Sequence, residues 1–251
     1  MCNLNIEMGG RTGFVAPDDA TFAWLAKRPF VPQGAQWDRA LAHWRTLATD
    51  DDAAFDREVT FECSTLEPQI SWGTDPSQVV GISGRVPDPA TLDPGRRAAA
   101  ESAFGYMDLV PGTPLVGLPV DRVFIGSCTN SRLPDLQVAA EIVLGRHVAD
   151  GVFAMVVPGS SSVRREAEAL GLDRVFREAG FFWGESGCSM CAGGNGDRGQ
   201  PGDRCVSTTN RNFENRQGPK VRTHLASPVT AAASAIAGRI ADARQILSGT
   251  A

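Results

Sequence analysis

The sequence has no apolar run near the ~18 residues that cross a bilayer, and it has no excess of basic charge. Lys and Arg number 24 against 29 Asp and Glu, a formal net charge of -5. Neither a membrane-spanning chain nor a nucleic-acid binder is expected, because phosphate recognition leans on a positive field. The opening stretch MCNLNIEMGGRTG lacks the basic, apolar and small-residue order of a secretory signal, so a cytoplasmic location is expected. Six cysteines in 251 residues are too sparse for a secreted disulfide framework. Reduced thiols acting as metal ligands are the alternative, and their spacing has to decide. Internal repeats are absent, and the one biased tract is alanine-rich, near the carboxyl end. What is present is an ordinary globular composition, 42% hydrophobic and 21% charged, long enough for one large core or two small ones.

Residues 1–83 read as a mixed α/β segment, with helices expected at 18–27, capped from Asp18, Asp19 or Thr21, and at 37–47. Polar and apolar residues alternate over 58–64, which predicts a half-buried strand. Prolines and glycines then punctuate 84–120 around one helix at 96–107, and this stretch reads as a connection. From 121 to 251 strands and helices alternate. Strands are expected at 122–126, 152–157, 181–183 and 205–208, helices at 133–144 and from a Ser162 cap to Leu170, and a long helix from the Ser227-Pro228 cap to about Ile246. That order predicts an α/β fold, three-layer αβα around a mostly parallel sheet, with its sites beyond the carboxyl ends of the strands.

The chemistry-bearing residues fall at such ends. Cys188 and Cys191 form a Cys-Ser-Met-Cys pair in a glycine-rich loop, and Cys128 ends the first strand of the second half. Two thiols at this spacing can face one metal or cluster. Four readings stay open: incidental loop thiols, a redox pair, a structural zinc site completed by Cys205, or an iron-sulfur cluster held by three cysteines with one iron open to substrate. The polar turn 207–216 holds Asn210, Arg211, Asn212 and Arg216, and guanidinium forks match carboxylates bidentately. Thr129, Asn130 and Ser131 beside Cys128 can cradle a ligand or cap the next helix. Cys2 and Cys63 are expected as small buried hydrophobes, Cys205 as core, His43 and His147 at the surface, and His224 as structural.

Read in order, Ile125-Gly126-Ser127-Cys128-Thr129-Asn130-Ser131-Arg132, Val157-Pro158-Gly159-Ser160, Gly187-Cys188-Ser189-Met190-Cys191, the turn 207–218 and Arg222-Thr223-His224-Leu225-Ala226-Ser227-Pro228 resemble the aconitase superfamily. The chain is most similar to its isopropylmalate-isomerising branch. Cys2-Asn3, Glu7, Val15-Ala16-Pro17-Asp18, Arg28-Pro29-Phe30 and Trp72-Gly73-Thr74 extend the resemblance over essentially the whole chain.

The resemblance implies an aconitase-like fold and a [4Fe-4S] cluster ligated by Cys128, Cys188 and Cys191. It gives Asn3, Glu7 and Asn210 catalytic places around the open iron, and Arg211 and Arg216 the substrate carboxylates. The implied reaction converts 2-isopropylmalate to 3-isopropylmalate through isopropylmaleate, in leucine biosynthesis, on a hydroxy dicarboxylate. A separate small subunit, carrying the serine base, is the implied partner. The family's large subunit is longer at its amino end, so Met1 is expected to be internal to a longer reading frame. Two other implied readings are a fragment that binds a cluster without turnover and a related hydro-lyase for a homoaconitate- or methylmalate-like acid. The sequence departs from the family at Asn215, where glycine is usual, at Ser161, at Ala192-Gly193-Gly194 after the second loop thiol, and at Pro219-Lys220-Val221. If position 215 needs a positive φ, asparagine suits it less well than glycine.

Overall fold

The computed structural model describes residues 1–193 and 196–248; Gly194 lies outside them. The chain divides into two compact units, Met1–Glu62 and Cys63–Ala251.

In the first unit, α1 (Asp19–Leu25) starts where expected, with the Asp18 carboxylate accepting from the Thr21 amide at 2.8 Å. Helix α2 (Ala35–Trp44) runs into a 3-10 turn, Arg45–Leu47. Phe22 is buried and stacks on Trp44 at 6.3 Å between ring centroids, and Trp37 meets Trp44 edge-on at 5.6 Å. The alternation over 58–64 does not form a strand. Val59 and Phe61 are exposed, so the pattern has no sheet face to bury against, and the boundary between the units falls within it.

The second unit opens with an antiparallel hairpin, β1 (Gln69–Ser71) and β2 (Val79–Gly81). Helix α3 (Pro94–Met107) follows, and the stretch 84–120 buries Val86, Phe104, Met107 and Leu115 in this unit's core. Then come β3 (Arg122–Ile125), α4 (Leu133–Val143), β4 (Phe153–Val156), α5 (Ser161–Ala169), α6 (Leu172–Glu178), β5 (Phe182–Trp183), β6 (Arg204–Ser207), β7 (Arg222–Leu225), α7 (Pro228–Ala237) and α8 (Ala243–Leu247). Strands β3 to β7 make a five-stranded parallel sheet in the order β5-β4-β3-β6-β7. The order reverses at β3. Crossovers lead one way to β4 and β5, while β6 lies on the other side, which makes the loops leaving β3 and β6 the topological switch point of the sheet.

Both faces of this sheet are buried, and the period-two alternation assigns each residue to a face. Val123, Ile125, Ala154, Val156 and Val206 join the larger core with Leu136, Ile142, Phe176 and the alanines of α7. Phe124, Met155, Val157 and Cys205 point the other way and enclose Met190 and Val221. A buried side chain of this size contributes about 1.5–3 kcal/mol.

Two expected boundaries shift. The cap of α5 is Ser160, whose hydroxyl accepts from the Val163 amide at 3.2 Å, while Ser162 lies inside the helix and bonds Ser160. The long final helix is two helices: Gly238 takes a left-handed φ of 67° and ends α7. Strand β7, helix α6 and the hairpin are not expected from sequence periodicity.

Candidate active site

The loops after β3 and β6 are bound to each other. The Gly126 amide donates to Thr208 Oγ1 at 2.8 Å, that hydroxyl donates back to the Gly126 carbonyl at 2.8 Å, and Asn130 Nδ2 donates to the Thr208 carbonyl at 2.6 Å. Ser127 sits at φ 87°, a conformation a non-glycine residue holds only when its surroundings impose it. Its hydroxyl donates to Asn210 Oδ1 at 3.0 Å, and Thr129 Oγ1 reaches the same oxygen at 3.4 Å. Cys128 is thereby presented, exposed, at the tip of a clamped turn.

The second pair of thiols lies on a 3-10 turn, Ser189–Cys191. Met190 anchors it by burying in the smaller core against Phe124, Met155 and Val157, which leaves Cys188 exposed and Cys191 half-buried. Ser189, at φ 44°, hydrogen-bonds Asp197 at 2.8 Å. Fully buried Gln217 holds the turn to the sheet. Its Nε2 donates to the Met190 carbonyl and to Ser207 Oγ, each at 3.1 Å, and its Oε1 accepts from Thr223 Oγ1 at 2.9 Å. The amide therefore links the thiol turn to the ends of β6 and β7.

Arg216 brings its Nη2 to 3.8 Å from Cys191 Sγ and lies over the Phe213 ring at 4.9 Å. Its Nε and the Ser186 hydroxyl are buried without a hydrogen-bond partner among the described residues. Asn215 has the left-handed φ, 65°, that a glycine would suit. The conformation is held because Asn215 Oδ1 accepts from the Lys220 amide at 2.9 Å, while the Asn215 amide donates to Tyr106 Oη at 2.8 Å. Tyr106 in turn donates to the Val221 carbonyl at 3.0 Å, and burial raises the pKa of its phenol.

Behind this loop the hairpin acts as a brace. Buried Asn212 donates to Ser71 Oγ at 3.3 Å and to the Gly73 carbonyl, and Ser71 Oγ also accepts from the Leu225 amide at 2.6 Å. The Ser71 carbonyl lies 2.7 Å from His224 Nδ1, and His224 Nε2 is 2.9 Å from Arg204 Nη1. A guanidinium only donates, so Nε2 is the acceptor and the proton sits on Nδ1. Burial, and then the nearby Arg204 charge, push the His224 pKa down to about 3. Desolvation lowers Arg204 too. His224 is thus structural, as its place in the sequence suggests.

The sequence-derived candidates Cys128, Cys188, Cys191, Asn210, Arg211 and Arg216 all stand in loops beyond the carboxyl ends of strands in the second unit. Asn3 and Glu7 belong to the first unit, in the 3-10 turns Cys2–Leu4 and Ile6–Met8, both exposed. Two cysteine expectations fail: Cys2 and Cys63 are exposed, not buried. The zinc reading fails through Cys205, which is buried on the sheet's inner face, where desolvation pushes its thiol up to about 12. The redox-pair reading is also disfavoured, since the thiol turn opens no α-helix. Among the described residues, no three His, Cys, Asp or Glu side chains converge closely enough to hold a single metal ion. Asn212 lies in the polar turn that the sequence marks, but its bracing role and those of Gln217, Ser127, Thr208 and Ser71 are not legible there. Their only signal is to be short or amide side chains near strand ends, which most surface loops share.

Thiols, amides and guanidiniums gathered in clamped loops at the carboxyl edge of a parallel sheet define an α/β protein of the kind that holds a ligand or metal group at its topological switch point. The comparison with known proteins is narrower. The chain belongs to the aconitase family (aconitate hydratase), whose profile matches residues 1–238. It is 58% identical over 245 residues to the protein named 3-isopropylmalate dehydratase large subunit 1 from Bradyrhizobium diazoefficiens, covering 97% of this chain and 51% of that one. To the 3-isopropylmalate dehydratase large subunit from Roseiflexus castenholzii it is 56% identical over 246 residues, covering 98% of this chain and 52% of the relative. The chain spans about half the length of the curated relatives it matches.

Proposed function

We propose that this chain is the thiol-bearing part of a cytoplasmic hydro-lyase of leucine biosynthesis that interconverts 2-isopropylmalate and 3-isopropylmalate. Water leaves to give isopropylmaleate and re-adds at the neighbouring carbon. The reading is carried by one observation: two thiol loops are each hydrogen-bonded to the end of β6 or the loop after it, the turn 188–191 through Gln217 and the Cys128 loop through Asn210, in a chain 56–58% identical to relatives bearing that enzyme's name.

On this reading Cys128, Cys188 and Cys191 would hold three irons of a [4Fe-4S] cluster. The donor set fits the group. Three soft thiols project from loops instead of lying in the core. When bound, the cluster supplies a Lewis-acidic iron that makes a hydroxyl a better leaving group.

The chain's own residues do the rest. Arg211 and Arg216 bind the carboxylates of a hydroxy dicarboxylate, since paired forks match a dianion. Asn210 spends its carbonyl oxygen on Ser127 and Thr129, so its NH2 is the end that donates to a ligand. Glu7 and Asn3, in the first unit, would offer the carboxylate and the amide that the family resemblance assigns to the reaction. The partner is a small subunit, as the relatives' name "large subunit" suggests, and it brings the base that takes the carbon-bound proton.

The test begins with the chain reconstituted anaerobically with iron and sulfide. Wild type should hold both, and Cys128→Ala should lose most of each; equal iron and sulfide content in the two would overturn the three-thiol assignment. Adding a small subunit and 2-isopropylmalate, with isopropylmaleate as the product measured, tests the reaction itself.

A further inference from the structure

A cavity of about 290 Å³ lies beside the second thiol loop, lined by Ala192, Gly193, Arg198, Asn215, Arg216 and the Gly218-Pro219 turn. Apart from Asn215 and the two arginines, its wall is built from residues with little or no side chain. Gly193 keeps it open. At φ 59°, a Cβ there would meet the Arg216 backbone carbonyl at 3.3 Å and the Arg198 stem at 3.4 Å, so a larger residue would crowd both neighbours. Arg198 is fixed by donating from Nε to the Gly193 carbonyl at 2.6 Å, and among the described residues the two terminal nitrogens of its fork have no hydrogen-bond or ion-pair partner. Arg216 has its terminal nitrogen on Cys191 Sγ and a buried Nε without a partner.

Among the described residues neither guanidinium is paired with a carboxylate. Two like charges lining one concavity repel, and the buried Arg216 Nε has no partner, so an anion seated between the two arginines would relieve both. A carboxylate meets that need and matches the planar donors of each fork.

We propose that this cavity is a carboxylate seat and that Arg198, which neither spacing nor family resemblance marks, is its second guanidinium beside Arg216. The ligand class is a small dicarboxylate, one end of which enters the seat while the other reaches toward the thiol loops. This deepens the functional reading and rests on it only for the identity of the anion. The seat itself belongs to the chain without any cluster.

The test is calorimetric titration of the cluster-free full chain at low ionic strength with two probes, malate and inorganic phosphate. Malate should bind wild type and bind Arg198→Gln at least about tenfold more weakly, the size of one lost hydrogen bond to a charged group. Arg198→Lys, which keeps the charge and loses the fork, should fall between them. Should Arg198→Gln misfold, Arg198→Lys against wild type makes the same comparison. Unchanged malate affinity in both variants, or no binding to wild type at millimolar malate, overturns the seat. Phosphate binding as tightly as malate with the same dependence on Arg198 overturns the carboxylate assignment. A chain that binds malate through Arg198 but takes up no iron sinks the proposed function and leaves the seat standing.

Discussion

Replacing Gln217 with leucine tests how the thiol turn is held. The native amide is fully buried and satisfies three groups: the Met190 carbonyl, Ser207 Oγ and Thr223 Oγ1. Leucine is close in volume, so no large cavity forms, but it offers no donor or acceptor. Ser207 keeps its bond to Thr209 Oγ1 at 3.2 Å. The Met190 carbonyl and the Thr223 hydroxyl lose their recorded side-chain partner, and each buried polar group left unsatisfied costs about 1–3 kcal/mol. Roughly 1 kcal/mol returns from the more apolar side chain. A net loss of about 1–5 kcal/mol is expected, read as a lower urea midpoint at unchanged slope, followed by far-ultraviolet circular dichroism at pH 7. The same variant should alkylate faster at Cys191 than wild type under conditions where both remain folded, because the turn beside Met190 is no longer tied to β6 and β7. Equal urea midpoints and equal alkylation rates would refute the view that this amide sets the turn.

Two further outcomes follow from the scaffold. His224 is buried neutral with its pKa down at about 3, against 6.5 unfolded. Below pH 6.5 the unfolded chain binds a proton that the folded chain refuses, so the stability from this site is fully present above pH 6.5 and falls by roughly a kcal/mol per pH unit toward pH 3. His224→Gln, which cannot titrate, should flatten the part of the urea-midpoint profile between pH 6.5 and 4, and an unchanged slope there would count against it. At Asn215, glycine removes the left-handed strain but also the bond to the Lys220 amide, so Asn215→Gly should lie within about 0.5 kcal/mol of wild type, whereas Asn215→Ala keeps the strain without the bond and should lose about 1–2 kcal/mol. Thermal unfolding of the three proteins side by side decides this, and an alanine variant as stable as wild type would refute it.

Local chemistry is legible in the amino-acid order alone. Alternating strands and helices after residue 121, a helix cap among Asp18, Asp19 and Thr21, the Ser227 cap, and thiols and guanidiniums at strand ends are statements about neighbours in sequence; the fold realises them, with Asp18 as the first cap. The failures share a cause. The alternation over 58–64 matches a strand as well as a loop does, because period two says nothing about whether a second strand lies beside it. Ser160 and Ser162 are equally good caps by composition, and the backbone angle at Ser160, not its chemistry, selects it. The alanine-rich tail reads as one helix because Gly238 costs only about 1 kcal/mol inside a helix, whereas in the fold it turns the chain so that Ile240 and Ile246 reach the core.

The sequence by itself determined the α/β class and which residue types stand beyond the carboxyl ends of the strands, since both depend on periodicity and short-range spacing. Only the tertiary structure decided the roles of Gln217, Arg198 and Asn215, and the exclusion of Cys205. Gln217 matters because β6, β7 and the thiol turn converge on one buried amide. Arg198 matters because the fold sets it and Arg216, eighteen residues apart, in the lining of one cavity beside Gly193. Cys205 is excluded because the pleat turns it into the core, where a thiolate would be stripped of water. These are long-range consequences of packing, and side chains distant along the chain acquire their energies only when the fold removes water from between them.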